Sequence, residues 1–344
     1  MANMNVKTPR FYVDTINYLL SRGVAQNGEF DVLATDAGAY KMGTFTTGSE
    51  PELFDMNPLN KVTFDTSADT DAHVMVTIDT QSTSSKKNFV AILNHNMNSA
   101  DAKVLIKGSD TAGHVAAVDM GSATVMGNPA EVVNADAISS SIVTPGTDGS
   151  TIVTFDESSL RYWGIQFEGN SSNTFGSTDL FVGCILIGEY FDAPHAPDLE
   201  IQRQIIFDGV DVLESAGGKR FANMRHSGRT HTATSKSPFT LGYPGQEGYG
   251  GRLAYDVNFS FLASSELMPN RYESLVHTDD TVVSDVWNKT NGPHIPFIFS
   301  CDNTSTGSNA ESEHIFARFA QNSLNMSQVA NDYWNVSMRI EEEF

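Results

Sequence analysis

Three consecutive polar residues, Asn94, His95 and Asn96, follow the apolar stretch Asn88–Leu93, which has the pattern of a β-strand. An imidazole between two amides supplies donors and acceptors that could line a polar ligand pocket at the rim of a β-sandwich, where loops often bind ligands. The alternative is a hydrogen-bonded turn, because Asn and His tolerate turn geometry. Both interpretations are open from the sequence, and the turn is favoured.

Carboxylates are the other candidate chemistry, but 42 Asp and Glu residues make any single acidic pair uninformative. Asp69 and Asp71 could bind calcium through oxygen, yet the twelve-residue calcium loop with its closing glutamate is missing. The two cysteines are too few for a zinc site built from thiolates. We therefore predict neither a metal site nor a cofactor.

The common catalytic motifs are missing from the sequence: G-x-S-x-G, H-E-x-x-H and the phosphate-binding G-x-x-x-x-G-K-[ST] do not occur. A glycine-rich patch begins like a dinucleotide-binding motif at Gly248 and Gly250, but Leu253 occupies the third glycine position. We predict a protein that is not an enzyme. The enzymatic alternative is a glycan hydrolase with two acids, which would need carboxylates about 5–10 Å apart.

The charge balance is acidic, with 21 Lys and Arg residues against 42 Asp and Glu residues, a formal net charge of −21. Such a surface repels nucleic-acid backbones and anionic membranes. One stretch reverses the sign, because no acid lies between Glu214 and Glu247. Its basic residues are Lys219, Arg220, Arg225, Arg229 and Lys236. The loop 219–236 is a candidate docking segment for an anion or a partner. The alternatives, which are favoured, are a solvated loop or a strip that pairs with an acidic neighbouring subunit.

Short apolar runs between polar, glycine-rich turns dominate the first part of the chain. They are Lys61–Phe64, His73–Ile78, Asn88–Leu93, Lys103–Ile106, Thr151–Phe155, Tyr162–Phe167 and Leu180–Ile187. This spacing predicts an all-β fold, a sandwich or jelly roll, in which alternation places one of Tyr162 and Trp163 in the core. Helical periodicity is confined to Val13–Leu20 and to residues 264–287, the latter a helix or a long loop packed on a sheet.

The segment Asp192–Asp198 holds two prolines and predicts a boundary between residues 1–195, a β-sandwich, and residues 196–344, a second β-rich domain with one or two short helices. The strand-like runs of the second part are Gln204–Phe207, Leu253–Leu262, Pro296–Cys301, His314–Phe319 and Trp334–Ile340. In the last run, alternate residues from Trp334 to Ile340 should form one buried face. We expect neither a membrane span nor a secretion signal, which predicts synthesis in a cytoplasm.

Three phrases of the first part resemble the discoidin-like, galactose-binding-like jelly roll at the N-terminus of tail proteins of tailed bacteriophages. The phrases are Asn88–Asp110, Ser158–Asn170 and Thr178–Pro194. The residues that match the pattern are His95-Asn96, Gly108-Ser109, Arg161-Tyr162-Trp163, and Gly188 with Phe191 and Pro194. The resemblance adds Arg161 to the candidate ligand-binding residues Asn94, His95 and Asn96, and it carries no catalytic residue.

The second part resembles the closing strands of distal-tail or minor-tail proteins in Pro296–Asn303, His314–Asn322 and Asp332–Phe344. The resemblance implies a virion structural protein of the tail, made in the host cytoplasm, that forms a ring, a hexamer or a trimer, with copies of itself and contacts other tail or baseplate proteins. It implies no sequence-specific nucleic-acid binding. The alternatives are a carbohydrate-binding protein of the virion that recognises a host surface glycan, and a capsid decoration protein.

Overall fold

The computed structural model describes residues 7–21, 30–33, 45–70, 73–81, 85–111, 127–139, 142–199, 201–207, 210–224, 237–239, 252–270, 280–307 and 310–343. Strands dominate this part of the chain, and the helices are short. The all-β fold class is confirmed.

The strands are numbered in chain order. Those of the first part are β1 Arg10–Asp14, β2 Phe30–Leu33, β3 Phe45–Thr47, β4 Val62–Phe64, β5 His73–Asp79, β6 Lys87–His95, β7 Ala102–Ser109, β8 Ala130–Val133, β9 Ala137–Ser139, β10 Ile142–Thr144, β11 Gly149–Ser158, β12 Tyr162–Gly169, β13 Phe181–Val182 and β14 Cys184–Asp192. Those of the second part are β15 Gln202–Ile206, β16 Val210–Glu214, β17 Arg220–Met224, β18 Arg252–Ala263, β19 Phe297–Ser300, β20 His314–Phe319, β21 Asn325–Ala330 and β22 Tyr333–Glu342.

The helical segments each span one or two turns. They are α1 Thr15–Ser21, a 3-10 turn Glu50–Phe54, α2 Ser264–Leu267, a π-helix Val282–Trp287 and a 3-10 turn Ala310–Ser312. The segment 264–287, predicted as a helix or as a long loop packed on a sheet, therefore contains two short helices, and residues 271–279 between them lie outside the described residues.

Two antiparallel sheets contribute the side chains of the first core. One sheet has the order β2-β5-β12-β7-β10-β9, and the strands β14-β6-β11-β8 belong to a larger, eleven-stranded sheet. Alternate residues of β7, among them Val104 and Ile106, point into this core with Trp163 of β12. Trp163 is fully buried, as predicted, and each such apolar side chain contributes about 1.5–3 kcal/mol when it leaves water.

Strand β1 joins the first part of the chain to the second. It pairs with β14 on one edge and with β19 on the other, so that Phe11 lies between Phe191 and Phe299. The eleven-stranded sheet, in the order β15-β18-β22-β20-β19-β1-β14-β6-β11-β8 with β21 beside β22, thus runs across residue 195 without a break. The division into two domains at residue 195 stays a prediction.

The sharp turn from β1 into α1 corrects the predicted helix Val13–Leu20, because Val13 belongs to β1 and the helix begins at Thr15. Asp14 ends the strand and accepts a hydrogen bond from Asn17 N at 2.7 Å, which caps the helix. Gly188 of β14 pairs with Asp14 of β1, and a Cβ atom at Gly188 would lie 1.9 Å from Val13 O. Only glycine fits this close approach.

The predicted strand Leu180–Ile187 is interrupted at Gly183, which separates β13 from β14. A Cβ atom at Gly183 would lie 2.1 Å from Pro58 O, so the backbone passes too close to Pro58 for any larger residue. The apolar run was recognised correctly, but the contact that divides it comes from a distant segment.

A second core lies between β18–β20, β22 and the π-helix, and it is rich in phenylalanine. The rings of Phe297 and Phe319 lie 4.7 Å apart, and Phe11 of β1 reaches Phe299 at 5.2 Å. The predicted face of β22 is confirmed, because Val336, Met338 and Ile340 are buried and Trp334 is half-buried against this core.

Candidate functional site

His95 lies at the end of β6 with both ring nitrogens engaged. Met97 N donates to Nδ1 at 3.2 Å, so the proton is on Nε2, which lies 2.8 Å from Thr151 Oγ1. The Thr151 hydroxyl in turn donates a hydrogen bond to Asn134 O at 2.9 Å. Complete burial lowers the pKa of His95 to about 3, so the ring is neutral at physiological pH. These contacts tie three segments together.

Asn94 and Asn96 are buried on either side of His95. Asn94 has a left-handed backbone, with φ at 53°, and its side-chain amide donates to Pro58 O at 2.7 Å. Asn96 bridges two backbone groups, donating to Asp179 O at 2.8 Å and accepting from Phe181 N at 2.7 Å. The contacts fit the turn-forming alternative, and a ligand-binding role for the three residues stays a prediction.

Arg161 lies at the opposite end of the sandwich from this triplet. It precedes β12, beside the last residue of β5, and makes a bidentate ion pair with Asp79 at 2.7 Å for both contacts. The nine residues of β6 separate the two ends by roughly 26 Å at about 3.3 Å per residue. The structure therefore does not bring the four candidate ligand-binding residues into one site.

Lys87 is a buried cation near Arg161 that sequence inspection missed. Its ammonium group donates to Ser85 O and Leu160 O, both at 2.9 Å, and lies 5.8 Å from the centre of the Trp163 ring. Burial lowers its pKa to about 7. The lysine fastens the loop before β12 to the start of β6.

The outer face of the six-stranded sheet carries a compact polar cluster. Glu168 of β12 lies between His73 Nδ1 and Lys103 Nζ, at 3.1 Å from each, and Gln166 donates to Glu168 at 3.3 Å. These residues alternate with the core residues of β5, β7 and β12, so period-two alternation is the signal that could have found them. Glu168 and Gln166 are buried, and His73 and Lys103 are the partly exposed members of the cluster.

A buried ionic triad lies between β14 and the π-helix. Lys289 Nζ contacts Glu189 at 2.6 Å and Asp285 at 2.7 Å, and all three side chains are buried. The two carboxylates raise the pKa of Lys289 against the effect of burial, so its charge is retained. The triad ties the first part of the chain to the second.

We define the hairpin arm as Val210–Met224, that is β16, β17 and their turn. Among the described strands these two pair only with each other, and the arm continues from β15, which lies at one edge of the eleven-stranded sheet. A glycine turn, with Gly218 at φ 79°, closes the arm. An isolated two-stranded hairpin is at best marginally stable in water, so the arm needs a further contact to remain folded.

Apolar side chains are exposed on both faces of the hairpin arm. Leu213 is 69% exposed and Phe221, opposite it, 53% exposed, whereas Val212 faces the other side and is 59% exposed. Of the predicted partner-docking residues, Lys219 and Arg220 lie at the turn of this arm, and Arg225, Arg229 and Lys236 lie outside the described residues. The predicted basic loop 219–236 thus begins in the turn and second strand of a hairpin that exposes apolar side chains.

Other candidate chemistry is sparse in the described part of the chain. It contains no group of three or more His, Cys, Asp or Glu residues placed to hold a metal ion, and Asp71 lies outside it. Burial raises the pKa of the Cys184 thiol well above its ordinary value and that of Cys301 to about 12, so neither is a thiolate at neutral pH. The helices described here are too short or too polar to cross a bilayer.

Comparison with protein-family models and with curated proteins finds no match. Among solved structures, "Truncated AlyQ with CBM32 and alginate lyase domains" matches at 12% sequence identity over 92% of this chain and 98% of that chain, with a TM-score of 0.25. A score of that size establishes no common fold. The functional argument therefore rests on the geometry of this chain.

Proposed function

We propose that this protein is a structural, non-catalytic subunit of a tailed-bacteriophage virion, which assembles with copies of itself into a ring of the tail or distal tail tip. The observation that carries the proposal is the hairpin arm. Burying its apolar side chains against a partner would stabilise the complex by about 25 cal/mol for each Å² removed from water, and an isolated chain lacks this stabilisation. Contiguous exposed apolar surface of this kind marks interaction sites.

The sequence phrases that resemble phage tail proteins support the virion assignment, since they fall on β6, β7, β12 and β14, the strands that build the first core. The net charge of −21 also fits a subunit that lines a passage for DNA without holding it, because each Lys or Arg contact with phosphate would add a grip that depends on salt.

Electron microscopy of the purified protein, together with light scattering to count subunits, tests this proposal. We expect rings or short tubes at micromolar concentration and the same chain in purified virions. A chain that remains monomeric at high concentration and is absent from virus particles would contradict it.

Carbohydrate binding at a host surface is a second candidate, and the polar cluster of His73, Lys103, Gln166 and Glu168 favours it. A carboxylate held between an ammonium group, an imidazole and an amide resembles the polar sets that orient sugar hydroxyls. A glycan array probed with the full chain and with Glu168→Gln tests this idea. Binding that the substitution abolishes supports it, and a flat response to bacterial surface polysaccharides counts against it.

A further inference from the structure

The buried ionic triad of Glu189, Asp285 and Lys289 places an amine between two carboxyl groups. Lys289 Nζ lies 2.6 Å from Glu189 Oε2 and 2.7 Å from Asp285 Oδ1, and each side chain is less than a tenth exposed. Taking such ions out of water costs free energy that their mutual attraction often fails to repay. Stability alone therefore does not account for the triad.

Apolar residues adjoin the triad. Val13 of β1 pairs with Glu189, and Val286 lies next to Asp285 in the π-helix; both valines are buried. Burial disfavours charged forms, and it raises the pKa of Glu189. A proton that moves from the Lys289 ammonium to the Glu189 carboxylate leaves an uncharged amine beside an uncharged acid, the two partners from which an amide forms.

Hydrogen bonds distinguish the two carboxyl groups. Asp285 Oδ2 accepts from Thr281 N at 2.8 Å and from Ser284 Oγ at 2.9 Å, which stabilises the anion and holds Oδ1 against Lys289. Among the described residues, the Glu189 carboxyl group hydrogen-bonds only to Lys289. An amine attacks the carbon of an uncharged acid far more readily than that of an anion, so Glu189 is the acyl group and Asp285 the base.

The reacting atoms are already close together. A nitrogen 2.6 Å from a carboxyl oxygen lies roughly 3–3.5 Å from the carboxyl carbon, which is the separation of a near-attack geometry. Holding two reactants in this way is equivalent to an effective concentration of about 10⁵–10⁸ M. Amide formation that is negligible between free side chains in water is thereby favoured inside the fold.

We propose that Lys289 and Glu189 join in an intramolecular isopeptide bond, formed by the folded chain itself with Asp285 as the catalytic base. The bond goes beyond the proposed function, because it forms within a single copy. It links β14 in the first part of the chain to the segment after the π-helix in the second, between residues that are 100 positions apart.

The reaction exchanges one bond for another and releases water. Lys289 first passes a proton to Glu189, and the neutral Nζ attacks Cδ. Asp285 takes a second proton from the nitrogen and returns it to the hydroxyl group, which leaves Cδ as water. The Nζ–Cδ bond forms, the Cδ–O bond breaks, Asp285 ends in its starting form, and nothing is oxidised or reduced.

Intact mass and a tryptic peptide map of the purified full chain test the bond. We expect a chain that is one water lighter than its sequence. Trypsin does not cut after an acylated lysine, so the peptides 162–203 and 272–318 should appear joined as one branched species, uncut at Lys289. A chain of unreduced mass that is cut after Lys289 overturns the proposal. So does a lone peptide 272–318 that has lost water, because the bond would then be to Asp285.

Two variants separate the chemistry from the fold. Asp285→Asn keeps the shape of the side chain but removes the base, so the branched fraction should grow at least about a hundredfold more slowly after synthesis. Circular dichroism checks first that this variant is folded; if it is not, the wild-type peptide map still decides. A branched peptide that forms at the wild-type rate in Asp285→Asn overturns the role of Asp285.

Lys86→Met is the matched control. Lys86 is a second lysine whose charge acts on Glu189, but its ammonium group pairs with Glu157 at 3.0 Å and is partly exposed. This variant should still lose one water and give the branched peptide. A bond that disappears in Lys86→Met and persists in Lys289→Met would overturn the assignment of the amine.

Discussion

Val76 and Val212 are both valines on antiparallel strands, yet Val76 of β5 is completely buried and Val212 of β16 is more than half exposed. Val76 lies between β2 and β12 and under the opposite sheet, whereas Val212 has one neighbouring strand among the described residues and is exposed. The same apolar alternation thus builds a core in one region and leaves an open surface in the other.

The two regions, the sandwich and the hairpin arm, differ in whether their side chains are buried within one chain. In the sandwich, buried polar groups such as His95 and Lys87 are held by several hydrogen bonds within one copy. In the hairpin arm, the pair Glu214 and Arg220 is exposed, and so are the apolar residues Val212, Leu213 and Phe221. The arm, unlike the sandwich, therefore leaves apolar side chains exposed in a single copy.

The largest effect should follow truncation of a core ring. Trp163→Ala removes a fully buried indole that packs on Phe155 at 5.8 Å between ring centres and donates to Leu160 O at 2.9 Å. We expect the free energy of unfolding in urea to fall by about 3–5 kcal/mol.

Phe221→Ala in the arm is the matched aromatic control, and it should change the unfolding free energy of the monomer by no more than about 0.5 kcal/mol. Similar losses for the two variants would break the comparison, because the arm would then share in the core.

Much of the sandwich could be predicted from sequence, because consecutive residues in runs such as His73–Ile78 and Tyr162–Phe167 are buried, on both faces of the strand. Strand β1 was missed, since its five residues are followed directly by a helix and its apolar residues merge with the helical pattern. Of the hairpin arm, only residues 219–224 fall within the predicted basic loop, and β16 was not predicted, because five residues of mixed polarity give a weak strand pattern.

The candidate site was predictable in residue type but not in contacts. His95 stood out beside two asparagines, yet its partner Thr151 is 56 residues away and is fixed by the pairing of β6 with β11. Lys289 and Glu189 are 100 residues apart, and nothing near either one in sequence marks the pair. Such contacts follow from strand register, which single-residue patterns do not encode.

Loss of the buried triad should have the next largest effect. It would show whether the contact between β14 and the π-helix belongs to the core region. Lys289→Met leaves Glu189 and Asp285 buried without their cation, and we expect a loss of about 3 kcal/mol in unfolding free energy. Unfolding followed by both tryptophan fluorescence and circular dichroism should then show whether the first and second parts separate into two transitions. A loss below about 1 kcal/mol would mean that the triad is solvated.

The pH dependence of stability should come next in size. His314 is buried, its Nδ1 donates to Ala310 O at 2.7 Å, and burial lowers its pKa to about 4. The unfolded chain takes up this proton near pH 6.5 and the folded chain does not, so stability is full above that pH and falls as the pH drops towards 4. From pH 6.5 to pH 5 the loss should be about 2 kcal/mol for this residue.

Asp14 acts in the opposite direction, because burial raises its pKa to about 6 and the folded chain binds that proton first. The histidine is therefore isolated by comparing the wild type with His314→Gln at each pH. The difference in unfolding free energy between the two proteins should shrink on acidification. A constant difference between pH 6.5 and pH 5 would mean that His314 reaches water in the folded chain.

The smallest effect should be local, and it separates the arm from the core most sharply. Gly218 adopts φ 79° in the arm's turn, and nothing lies within 4 Å of the place where a Cβ would be. Gly218→Ala therefore adds only backbone strain, about 1 kcal/mol. Because the arm can open by itself, amide hydrogen exchange in β16 and β17 should quicken about fivefold while β6 exchange and global unfolding stay unchanged.

Gly217→Ala is the matched control, since its site is equally open and its φ is not positive, and it should leave exchange in the arm nearly unaltered. If Gly218→Ala instead lowered the global unfolding free energy by the full amount, the arm would unfold only with the core. In that case its exposed leucine and phenylalanine would belong to a rigid surface of the monomer, and docking on a neighbour would require no ordering of the arm.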